Sequence, residues 1–125
     1  MNTDDLDATL KRIARQPFRA RIRLRGRDRA VVDLRGLNTV RKHAAEIIER
    51  RLPPAQPLHD GRQTPYHGHP VFVAQHATAT CCRACLERWH GIPAGQPLEP
   101  SEKDYIIEAV CRWIEQQYAP RHPPQ

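Results

Sequence analysis

Residues 18–25 read Phe18-Arg19-Ala20-Arg21-Ile22-Arg23-Leu24-Arg25, apolar and arginine side chains alternating without a break. A period of two predicts a short β-strand with one apolar and one basic face. Val71-Phe72-Val73 is β-prone and offers it a partner. The segments around these runs have helical spacing instead. Leu6, Leu10, Ile13 and Ala14 set a helix over 4–15, ended by Pro17. A short helix follows over 28–34, closed by Gly36. Asn38 is a good cap for a helix over 39–52, striped by Val40, Ala44, Ile47, Ile48 and Leu52. Thr78 or Thr80 opens another, running to about His90, where Gly91-Ile92-Pro93 stops it. A last helix starts at Ser101, with Asp104 in the capping-box position. Its buried stripe is Tyr105, Ile106, Ala109, Val110, Trp113, Ile114 and Gln117.

The expected fold is therefore a single α+β domain, mainly helical, with four or five helices and a small two-stranded β element. Residues 1–17 form an N-terminal helix, 18–118 a Cys/His-containing domain and 119–125 a mobile tail. With 125 residues and 39% apolar content the core is modest, and small domains often add a metal or disulfides to such a core. No apolar run approaches the roughly 18 residues of a membrane span. The acidic start MNTDDLDATL is no secretory signal. Both point to the cytoplasm, where thiols stay reduced and clustered cysteines read as ligands or redox groups.

Three of the four cysteines and two of the seven histidines fall in HATATCCRACLERWH, residues 76–90. Cys82 and Cys85 form a C-x-x-C pair. In the first turn of a helix they stand about 60° apart around the axis, so both thiols face one point. The helix N-terminus favours their thiolate forms, which bind zinc. His69 and His76 are placed to complete a tetrahedral Zn2+ site, with His67 close behind. Cys81, about 100° round from Cys82, points elsewhere, and it packs, supports the site or serves as an alternative ligand. His90, about 140° from Cys85, is an alternative ligand only if the helix ends early, and otherwise has a supporting or separate role. Trp89 and Trp113 read as core, and Arg83 as facing solvent or an anion near the site.

The string GHPVFVAQHATATCCRACLERWHGIPAG (68–95), with HDGRQTP before it and WIEQQ after it, resembles the bacterial domain-of-unknown-function family four-one-eight-six. The likeness runs from about Phe18 to Tyr118. Ala84 stands where a glycine is common, and His67 and Cys111 fall outside the pattern. The resemblance implies a site here and names no reaction. It also adds weight to the polar neighbours Asp60, Gln63, Thr64, Gln75, Thr78 and Thr80 as groups around bound metal or ligand.

Three functions fit. The first is a zinc-type binding module. The second is an enzyme, a hydrolase or transferase, in which Cys82 is a thiolate with His69 or His76 as base and Asp60 as orienter, or a metal activates water. The third is nucleic-acid binding. Residues 11–52 carry fourteen Lys/Arg against four Asp/Glu, while the rest of the chain is acidic or near neutral. Arg19, Arg21, Arg23 and Arg25 on the strand face, with Arg41 and Lys42 on a helix, would contact phosphates. A thioredoxin-like role lacks the βαβ setting it requires.

Overall fold

The computed structural model describes residues 3–54, 61–62 and 64–118. Asp60, Gln63 and the expected tail 119–125 lie outside them. Among the described residues seven helices run in chain order: α1 (Thr3–Ile13), α2 (Pro17–Ala20), α3 (Gly26–Arg35), α4 (Leu37–Arg51), α5 (Pro70–Ala77), α6 (Arg83–His90) and α7 (Pro100–Tyr118). The described residues contain no strand, so the expected β element is absent and the fold is all-helical.

Both expected strands fail for local reasons. Pro17 occupies the first turn of α2, where its missing N–H costs nothing. Residues 22–25 then run irregularly and pair with no strand. Leu24 alone of that segment is buried, and its N–H donates to Gln117 Oε1 at 3.1 Å. Val71-Phe72-Val73 lies inside α5, which opens with Pro70 behind a His69 cap. The His69 Nδ1 accepts the Val71 N–H at 3.0 Å. Seven of the eight α5 residues are buried, and an apolar run buried all round has no periodicity to tell helix from strand.

α5 is the centre of the packing. It meets α7, α3, α4 and α2, while α4 and α7 close over it and α1 lies on α6. The core joins Leu24, Val40, Ile48, Val71, Ala74, Leu86, Ile106 and Ile114. Three helix starts depart from expectation. α4 begins at Leu37 behind Gly36, which leaves Asn38 inside the helix. α6 begins at Arg83, after Cys81 and Cys82 instead of before them. α7 begins at Pro100, where Glu102 Oε1 reaches back to the Glu99 N–H at 2.9 Å. Trp113 packs against the core. Trp89 is half-buried, with the Arg12 guanidinium 5.5 Å over its ring.

Arg83 corrects the sequence reading most sharply. It is 1% exposed, the largest fully buried side chain. Its Nη1 donates to the carbonyls of Leu52, Pro53 and Pro54 at 3.3, 3.2 and 2.7 Å. Its Nη2 donates to those of Pro93 and Gln96, both at 2.8 Å. A planar cation thus binds the end of α4 to the α6–α7 connection and fixes where α6 starts. Arg83→Met should lower unfolding free energy by about 3 kcal/mol, because several buried carbonyls lose their donors. Arg83→Lys should recover only part, since a point ammonium cannot span both sets. Denaturant titration of the three proteins checks both statements.

Candidate metal centre

The connection from α5 to α6 builds the site. Thr78 ends α5, its N–H and hydroxyl both returning to the Ala74 carbonyl at 2.9 and 2.8 Å. Ala79 then takes the left-handed conformation, φ 56°, unusual for a residue with a Cβ. Gln75 locks this turn from both sides: its carbonyl accepts the Thr80 N–H and its Nε2 donates to the Thr80 carbonyl. Thr64 holds the far side, donating to the Cys81 carbonyl at 2.8 Å. The chain therefore enters α6 extended. Cys82 is the N-cap, and its Sγ accepts the Cys85 N–H at 3.4 Å.

This path gathers three sulfurs. The Sγ atoms of Cys81, Cys82 and Cys85 all lie within 4.8 Å of one another. Cys81 and Cys85 are 3.8 Å apart, with no disulfide. In a tetrahedral site with metal–sulfur bonds of about 2.3 Å, neighbouring sulfurs stand about 3.8 Å apart. The apposition thus matches the edge of a metal–thiolate tetrahedron. Arg19, on α2, faces the group from outside: Nε to Gln16 Oε1 at 2.7 Å, Nη1 to the His76 carbonyl, and Nη2 to Cys85 Sγ at 3.5 Å.

Charge is shared unequally among the thiols. Cys85 is held far below the ordinary thiol range, by hydrogen bonds from Cys81 and Cys82 and by Arg19, against the opposing effect of burial. Cys81 is pushed far up, because its hydrogen-bond contacts with Cys82 and Cys85 favour the protonated thiol and burial adds to the effect. The bond from Cys81 draws Cys82 down, but contact with Cys85 and burial outweigh it and the net shift is upward. The cluster therefore holds its first negative charge on Cys85, beside the guanidinium. Cys111 lies elsewhere in the core and burial pushes its thiol up to about 11.

A family model described as Domain of unknown function (DUF4186) matches residues 7–115. The chain belongs to this family. No solved structure matches it.

The DUF4186 chain distributes its histidines differently from the sequence reading. His69 is spent on the α5 cap through Nδ1, and its Nε2 lies 2.9 Å from His43 Nδ1 on α4. His90 donates from Nε2 to the Thr78 carbonyl at 2.7 Å and accepts the Tyr105 hydroxyl at Nδ1, 2.9 Å. His76 donates from Nε2 to the Thr64 carbonyl at 3.0 Å and stacks on Tyr66, centroids 4.0 Å apart. His67 pairs with Asp28 at 3.2 Å. None of these four joins the sulfur group, whereas Cys81 does. The expectation for Cys81 assumed an unbroken helix through 81–85; an N-cap at Cys82 removes the 100° step that would have turned it away. Arg19 is the other residue the DUF4186 sequence did not reveal. It was placed on a basic strand face, and without the strand its side chain turns inward. Arg41 pairs with Glu108 at 3.3 Å, and Lys42 is exposed on α4.

Burial holds His69 down to about 4, with His43 adding to the effect and Asp28 opposing it. Burial likewise lowers His76 and His90. Each folded value lies below the unfolded one near 6.5, so the unfolded chain binds more protons as pH falls. The stabilising effect is complete above about pH 6.5 and is lost toward about pH 4. Denaturant titrations of chelator-treated protein should give a falling unfolding free energy across that window. In His69→Gln the fall should be shallower.

Proposed function

We propose that this domain is a zinc–thiolate binding module, with Zn2+ held by Cys81, Cys82 and Cys85. The 3.8 Å apposition of Cys81 and Cys85 carries the reading. Three other features support it. The ligands share one short path, 81–85, fixed by the Thr64 and Gln75 hydrogen bonds. The Cys85 N–H points at Cys82 Sγ, and that bond favours an anionic sulfur. Arg19 would offset the single net negative charge that three thiolates leave on a divalent ion. Zinc suits a soft sulfur set, and such thiols persist in a reducing compartment.

Three protein ligands leave a fourth position, and no fourth Cys, His, Asp or Glu joins the group among the described residues. Zinc sites with three protein ligands ordinarily keep that place for water or substrate. The module is thus read as one that presents an exchangeable position. A second reading, a metal-free thiol enzyme, shifts from Cys82 to Cys85, because Arg19 and two thiol donors favour the Cys85 thiolate.

Tag-free protein should carry about one zinc per chain by elemental analysis. Cys81→Ser, Cys82→Ser and Cys85→Ser should each lose most of it, and Cys111→Ser should keep it. Arg19→Met should bind zinc on the order of tenfold more weakly, as groups supporting a metal's ligands typically do when removed. Less than a tenth of an equivalent, both as purified and after zinc addition, would refute the module. One fast-alkylating cysteine in such metal-free protein would then favour the thiol reading.

A further inference from the structure

Beside α2 lies an open groove of about 520 Å³, away from the three sulfurs and independent of any metal. Phe18 and Tyr66 line it. They meet edge to face, with centroids 6.4 Å apart and planes at 82°. Both are large apolar side chains left in solvent, 51% and 59% exposed. The ring of His76 lies parallel to that of Tyr66, at 9°, and backs it from within the fold. Tyr66 is thus a supported ring that is still more than half exposed.

The lining also carries three arginines beside the apolar Ile22 and Val73. Arg21, Arg23 and Arg25 all border the groove. Arg23 is anchored by Nη1 to the carbonyls of Ala20 and Ile22, at 2.6 and 3.0 Å. The one acid in the lining is Asp28, already engaged by His67 at 3.2 Å and by the Gly68 N–H at 3.0 Å. The groove therefore pairs exposed π-surface with three arginines against one carboxylate, a net positive charge.

An anion alone would leave the rings unused, and an apolar molecule would leave the arginines facing nothing. A base joined to a phosphate satisfies both. Flat rings stack on aromatic side chains, and guanidinium groups bind phosphate oxygens in pairs. We propose that this groove binds a nucleobase bearing a phosphate, either as a free nucleotide or as part of a single strand. The basic character of residues 11–52 then acts through a concave site with stacking rings, in place of the flat strand face expected from the alternating arginines.

Calorimetric titration of the full chain at low salt tests this, using adenosine monophosphate, adenosine, inorganic phosphate and an oligothymidylate of about ten nucleotides. Adenosine monophosphate should bind more tightly than adenosine or phosphate. Phe18→Ala and Tyr66→Ala should each weaken it about tenfold at unchanged circular dichroism. The double variant Arg21→Ser/Arg25→Ser should weaken it and flatten its salt dependence. If Tyr66→Ala does not fold, the half-exposed Phe18 and the arginine pair carry the test. An oligonucleotide at least tenfold tighter than the mononucleotide assigns the site to single strands, and equal affinities assign it to free nucleotides. The proposal is overturned if neither nucleotide probe binds at millimolar concentration. It is equally overturned if phosphate competes as well as adenosine monophosphate, or if affinity survives loss of the rings.

Discussion

The first turn of an α-helix has N–H groups that no residue of the helix can satisfy, and α6 gives part of that task to sulfur. Cys82 stands outside the helix in extended conformation, and its Sγ takes the Cys85 N–H. That choice sets the direction of everything nearby. A helix beginning two residues earlier would send Cys81 away from Cys85. Beginning at Arg83, it brings Cys81 back over the first turn, 3.8 Å from Cys85. The left-handed Ala79 and the Gln75–Thr80 lock hold the approach. Conformations of that kind cost on the order of 1 kcal/mol and persist where surrounding contacts over-determine them.

Two buried or half-buried arginines divide the labour around this point. Arg83 leaves the helix start and donates to backbone carbonyls from two segments, so it fixes position. Arg19 comes from a separate helix and meets the sulfurs directly. Its bond to the His76 carbonyl ties that charge to the end of α5. Placement and charge compensation thus rest on different side chains. Loss of the first should disturb the whole domain, and loss of the second chiefly the cluster.

Much of this was legible in the residues, and the failures have physical causes. The helices over α1, α4 and α7 follow from stripes with one buried face, and such a face repeats every 3.6 residues, whereas α3 is read from its Gly36 stop. α5 has no exposed face, so its Val-Phe-Val core reads equally as strand. The Pro70 behind a capping His69 was the signal that could have decided it. The alternation at 18–25 was real but had nothing to pair with, and Pro17 at a helix start outweighed it. The sulfur cluster was visible as a place, because C-x-x-C near a helix start converges by geometry alone. Its membership was not, because the capping residue decides which way Cys81 faces. The histidines near it in sequence are committed to capping and to backbone carbonyls, a division set by tertiary contacts from α4, α7 and the Thr64 segment.

The convergence of three sulfurs on one ion is most directly tested by X-ray absorption at the zinc edge of the zinc-loaded protein. Three sulfur scatterers at about 2.3 Å and a single lighter N/O scatterer is the result required by the Cys81–Cys82–Cys85 arrangement. Two or fewer sulfurs, or a shell dominated by imidazole nitrogen, would contradict it.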